Sequence, residues 1–99
     1  MVDMEYFYVY ILKCNDGSYY TGHTDNIEKR LSEHKRGKVP CYTSARLPVE
    51  LVFFQRCSSR YGALSAERRI KTWSRKKKEA LIKQNWKELS KHSKKNFKG

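Results

Sequence analysis

Tyr8, Tyr10, Tyr20, Arg30 and Glu67 are the side chains whose types and neighbours point to chemistry in this chain. Tyr6, Tyr8, Tyr10 and Leu12 alternate along one face of a β-type segment, with Phe7, Val9 and Ile11 on the other. The purely apolar side belongs to a core, so Tyr8 and Tyr10 are expected on the opposite surface, hydroxyls toward water or a ligand. Tyr20 can stand beside them from a partner strand, although ordinary cross-strand aromatic packing is the commoner account of such a cluster. Arg30 lies three residues after Ile27 and four before His34, at the border of a helix face. There it either projects toward the sheet edge or lays its stem over apolar neighbours. His34 alone reads as a packed or capping histidine. Glu67 sits among Ala63, Ala66 and Ile70, where a carboxylate is costly unless it is paired or coordinated. A salt bridge to Arg30, Arg68 or Lys71 is the simplest way to satisfy it.

These residues need elements to position them. Residues 6–13 are aromatic and β-branched and read as a strand. Asn15-Asp16-Gly17 supplies a turn, and residues 18–23 return as a second strand. Asp25 can cap a helix, with Glu28 at capping-box spacing and Ile27, Leu31 and His34 on one face. Arg36-Gly37-Lys38 ends it. A loop bounded by Pro40 and Pro48 leads to a third strand, Val49 to Cys57, rich enough in Val, Leu and Phe to be well buried. Ser58 or Ser59 caps a helix running to about Trp73, and Ser74 caps another starting at Arg75. The order ββαβαα gives an α+β domain, a three-stranded, largely antiparallel sheet flanked by helices. Residues 1–87 are expected to form this domain, with residues 88–99 as a basic, flexible tail.

Charge is distributed unevenly. The chain carries a net charge of +12, and residues 68–99 hold 13 of its 22 Lys and Arg but 2 of its 10 Asp and Glu. Such an excess favours a polyanionic partner, through counterion release, as readily as it describes a solubilising tail. The tail lacks the sustained apolar face that a membrane surface would select, and Met1–Glu5 lacks the features of a secretory signal. A cytoplasmic protein without a membrane partner is expected. The three cysteines, Cys14, Cys41 and Cys57, form no C-x-x-C pair and have no histidine at zinc-ligand spacing, so ordinary thiols are expected.

Taken in order, these stretches resemble a known family. Tyr8-Val9-Tyr10, followed by Tyr20-Thr21-Gly22, resembles the paired signature of the GIY-YIG nucleases. The segment from Tyr20 to His34 is similar to that family's second strand and arginine-bearing helix, with Arg30 eight residues after Gly22. Ala63-Leu64-Ser65-Ala66-Glu67 resembles the helix carrying its single acidic metal ligand. Trp73-Ser74-Arg75-Lys76-Lys77-Lys78-Glu79 is similar to the basic segment of small stand-alone bacterial YhbQ-like members. Tyr8 departs from the pattern, standing where many members have glycine.

The resemblance implies a metal-dependent nuclease that hydrolyses phosphodiesters of DNA or RNA, with DNA repair or processing as its setting. No small-molecule cofactor is implied, and oligomeric state stays open. Glu67 would hold one Mg²⁺ or Mn²⁺, which tolerates a single carboxylate because it keeps several waters. Arg30 would bind the scissile phosphate with its planar fork. Tyr10 or Tyr20, helped by Arg30 and Lys13, or else His23, would be the base. Tyr8, Val9, Thr21, Gly22 and His34 would shape the motif, and Lys13, Arg75, Lys76, Lys77 and Lys78 would contact nucleic acid. A non-catalytic nucleic-acid binding module on the same fold is the alternative.

Overall fold

The computed structural model describes residues 6–38 and 42–84. Strand β1 (Phe7–Lys13) pairs antiparallel with β2 (Tyr19–Thr24) on one side and β3 (Glu50–Cys57) on the other, giving the sheet order β2-β1-β3. Helices α1 (Ile27–Lys35) and α2 (Arg60–Lys71) follow β2 and β3, and a further helix, α3, runs from residue 75 to the last described residue, 84. The architecture is α+β in the expected order ββαβαα. A short 3-10 turn, Tyr42–Ala45, interrupts the loop before β3. The expected tail, residues 88–99, and Cys41 lie outside the described residues.

The central position of β1 follows from its composition. Residues Val9 to Leu12 are all buried, so side chains pointing either way from the strand meet a covered surface. On one face Val9 and Ile11 pack with Phe53 and Ile70, and with Ala66, Trp73, Leu81 and Ile82 of the α2–α3 layer. On the other, Tyr10, Leu12, Cys14 and Val49 pack with Tyr20, Ile27, Leu31 and Leu47. This second cluster corrects one expectation: the Tyr10 face is no solvent surface, because α1 and the following loop lie across it. The third strand is also less buried than its composition implies. It is an edge strand in which Phe53 alone is fully buried, while Phe54 is exposed. A bulge where Ile11 and Leu12 face β3 lets the consecutive residues Val52 and Phe53 join the same cluster.

Local signals set the element ends. Gly17 takes a φ of 84° in the hairpin turn, where a side chain would be strained. The cap of α1 is Asn26, whose side chain accepts from the Lys29 N–H at 3.1 Å, and not Asp25. The Asn26 N–H donates to Thr24 Oγ1 at 3.1 Å, which closes a turn and starts the helix one residue later. Asp25 instead lies 3.7 Å from Arg60. Ser59 caps α2 and Ser74 caps α3, as expected, but α2 stops at Lys71, short of Trp73. Thr72 Oγ1 donates to the Arg69 carbonyl at that end.

One contact ties the signature strands together. Tyr10 faces Gly22 in register and lays its phenol over it. A Cβ at position 22 would stand 2.6 Å from the Tyr10 hydroxyl oxygen and 2.8 Å from Cζ. Gly22→Ala is therefore expected to destabilise the fold by about 1–3 kcal/mol, the usual range for overpacking. Urea unfolding measures this, and an unchanged midpoint would show that Tyr10 is free to move aside.

Candidate active site at the edge of β2

Three elements meet over Tyr10. Its hydroxyl is 3.0 Å from His34 Nε2, and His34 Nδ1 is 2.7 Å from Thr43 Oγ1. His34 and Thr43 are both fully buried, so this chain of polar atoms runs through the core from β1 through α1 to the 3-10 turn. The Tyr20 ring lies 5.2 Å from that of His34 and 6.4 Å from that of Tyr10. Arg30, one helical turn before His34, is half-buried; it donates to Glu33 at 3.4 Å and borders the Tyr10 phenol. A depression of about 280 Å³ opens beside it, lined by Thr24, Asp25, Asn26, Lys29, Arg30 and Glu33.

Burial governs the titration of this group. It pushes the Tyr10 pKa up to about 12, and the adjacent Arg30 guanidinium offsets only part of that rise. At neutral pH the group is therefore the neutral phenol. Burial also lowers the His34 pKa, and the Arg30 charge lowers it further, so the imidazole is neutral at pH 7.

The carboxylate approaches from the other side of β2. Strand alternation places Thr21 and His23 on the face opposite Tyr20 and Gly22, toward α2. There His23 Nδ1 lies 2.6 Å from Glu67 Oε1, and Lys71 Nζ lies 2.8 Å from Glu67 Oε2. The Glu67 side chain is 12% exposed, against 50% for Lys71 and 24% for His23. Burial raises the Glu67 pKa, but Lys71 and His23 outweigh it and hold the carboxyl below the usual carboxylate range. The two halves sense each other around the strand edge. The Glu67 charge contributes to the raised Tyr10 pKa, and the Tyr20 phenol contributes to the raised Lys71 pKa. Among the described residues no cluster of three His, Cys, Asp or Glu side chains could hold a metal ion. A cation here would rest on Glu67 with solvent and substrate oxygens.

The structure thus brings Tyr10, Tyr20, Arg30 and His34 together and sets Glu67 and His23 beside them. Of the salt-bridge partners considered for Glu67, Lys71 is the one that pairs. Tyr8 packs edge-on against Phe54 at 6.2 Å, and Val9 belongs to the core. Thr21 is buried, its hydroxyl without a hydrogen-bond partner among the described residues. Lys13 does not join Tyr10, because odd-numbered residues of β1 point to the opposite face. Arg75 is committed to the fold: it lies over the Tyr19 ring at 4.8 Å and donates to Glu79 at 3.1 Å, and Glu79 also accepts from the Tyr19 hydroxyl. Lys77 lies over Trp73 at 4.3 Å, Lys78 is half-buried and Lys76 is exposed. Thr43 is the residue that sequence reasoning passed over, since it lies in a stretch without periodicity, nine residues from the histidine it meets.

Known proteins share both the sequence pattern and the architecture. The model of the GIY-YIG catalytic domain matches residues 6–80. The UPF0213 protein of Bacillus pumilus is 48% identical over 75 residues, 76% of each chain, and that of Syntrophus aciditrophicus 53% over 79 residues, 79% of this chain and 91% of the relative. The solution structure of the UPF0213 protein BH0048 from Bacillus halodurans aligns with a TM-score of 0.52 at 42% identity, covering 79% of this chain and 83% of that one. The solution structure of EF2693 from E. faecalis aligns with a TM-score of 0.56 at 38% identity, covering 85% and 90%. With two signature strands paired across Tyr10 and Gly22, an arginine helix on one side and Glu67 on the other, the chain belongs to the GIY-YIG family, within the nuclease superfamily of that name.

Proposed function

We propose that this protein is a divalent-metal-dependent phosphodiesterase acting on nucleic acid, DNA foremost, in repair or processing of strands. The observation that carries this reading is the convergence of Arg30 and the Tyr10–His34 pair with Glu67 around a single strand edge. Glu67 offers hard oxygen donors in a partly shielded position, and these fit Mg²⁺ or Mn²⁺. Such an ion supplies Lewis-acid stabilisation of charge on a phosphate oxygen. Arg30 binds the same phosphate through its planar fork and offsets charge gained in the transition state.

Tyr10 is the candidate base, but its raised pKa rules out a standing tyrosinate as a significant species. His34 resolves this. With its proton on Nδ1, donated to Thr43 Oγ1, Nε2 is free to accept the Tyr10 proton as Tyr10 takes one from water. The step then moves a proton along existing hydrogen bonds, leaving the phenol neutral and placing the positive charge on the buried His34 imidazole, which must return the proton before the next turnover. His34 acts through Tyr10 and is a positioning residue. His23, held at Nδ1 by Glu67 with Nε2 left open among the described residues, is the alternative base. The exposed Lys76, with Lys77 and Lys78 on the same turns of α3, contributes phosphate contacts.

A second reading, a binding module without catalysis, draws support from the internal partners that already hold both Glu67 oxygens. Cleavage of labelled duplex and branched DNA with Mg²⁺ or Mn²⁺ separates the two readings. The enzyme is expected to lose cleavage in Glu67→Gln, and in Arg30→Ala to slow by about 10²–10³-fold while still binding DNA. Absence of metal-dependent cleavage in the purified wild type leaves the binding module. Because the His34 pKa is lowered, its neutral form persists into mild acid. The acid limb of single-turnover cleavage is accordingly expected below the ordinary histidine value and is expected to vanish in His34→Gln; a limb left in place removes His34 from the relay. Replacing Lys76, Lys77 and Lys78 with Ala is expected to reduce the salt slope of DNA binding by about one to two units, Lys77 being engaged with Trp73, and an unchanged slope would place the binding surface elsewhere.

A further inference from the structure

Lys71 stands where a cation is needed. Its ammonium is 2.8 Å from Glu67 Oε2, four residues along the same helix, and half of its side chain remains exposed. Glu67 is 12% exposed and its other oxygen is held by His23 at 2.6 Å. The carboxylate is thereby satisfied without any ion, so a divalent cation must compete with an internal one for Oε2. The two cannot share that oxygen closely without strong like-charge repulsion. Lys71 has somewhere else to go. Its flexible stem, already half in solvent, swings easily, and a phosphate arriving at Arg30 would lie just across the edge of β2.

We propose that Lys71 exchanges partners, holding Glu67 in the free protein and turning to a substrate phosphate when nucleic acid binds, so that substrate clears the carboxylate for the metal. This rests on the reading of Glu67 as the metal-anchoring residue. It makes Lys71 a phosphate-binding residue and links the two ligands: each raises the affinity for the other by the same factor. The linkage also gives the lysine a purpose that a simple helix pair at i,i+4 does not have, since such a pair contributes only a few tenths of a kcal/mol.

The test measures Mn²⁺ binding by the electron paramagnetic resonance of free Mn²⁺, with wild type and Lys71→Met, each with and without a short phosphorothioate oligonucleotide. Thermal melts confirm that the variant is folded. Wild type is expected to bind Mn²⁺ on the order of tenfold more tightly with the oligonucleotide, within the usual range of coupled sites. Lys71→Met is expected to bind Mn²⁺ more tightly than wild type without it and to gain several-fold less from it, because only the contribution of substrate oxygens to the ion then remains. A lysine that merely orients Glu67 would give the reverse, weaker Mn²⁺ binding in the variant, and would overturn the exchange. So would coupling of undiminished size in Lys71→Met. If Glu67→Gln leaves wild-type Mn²⁺ binding intact, the reading of Glu67 itself fails, a result distinguishable from failure of the exchange alone.

Discussion

The hydrogen bond between the Tyr10 phenol and the His34 imidazole is the constraint from which the rest of this structure follows. Each group is almost entirely withdrawn from water, so either one left without its partner would cost about 1–3 kcal/mol. That cost fixes the height of α1 above the sheet, requires glycine at position 22 beneath the phenol, and draws Thr43 inward to complete the imidazole. Arg30 reaches its place because it rides on the same helix, one turn earlier. A bond whose net contribution is modest therefore specifies the geometry of three separate segments through the penalty for breaking it.

Much of the architecture was legible in the chain, for reasons that can be traced to particular residues. The alternation of residues 6–13, the Asn15-Asp16-Gly17 turn, and the serines before α2 and α3 are local signals, and local signals survive folding. What failed was long-range. Composition marked Val49–Cys57 as well buried, yet β1 occupies the centre because both its faces find cover and both its edges find partners. A tyrosine-bearing strand face looks amphipathic in sequence. Nothing local announces that His34 will take up its hydroxyl and allow the ring to be buried.

The site was legible to the same degree. The spacing that placed Arg30 at the border of a helix face and Glu67 beside small core residues is a property of single helices, and it held. The pairing of Glu67 with Lys71 was among the options that helical geometry allowed. Its pairing with His23, 44 residues away, depends on the register between α2 and β2. The basic segment illustrates the opposite lesson. Arg75, Lys76, Lys77 and Lys78 are consecutive and alike in sequence, yet Arg75 fastens α3 to Tyr19 and Lys77 lies on Trp73. A run of positive charge is thus divided between adhesion and recognition according to which aromatic rings lie within reach.

Because the guanidinium hangs from one layer and the carboxylate from the other, the distance between them is set by how the two layers seat on a strand shared between them. Ile27 and Leu31 seat the first layer, and Ala66 and Ile70 the second. None of these four can touch substrate, yet a slight sideways slip of either helix would move one charged group relative to the other while every local hydrogen bond stayed intact. The greasy contacts of this small domain therefore act as the calipers of its polar site, and variation among them is a route by which chains sharing every polar side chain would hold the two charges at different separations.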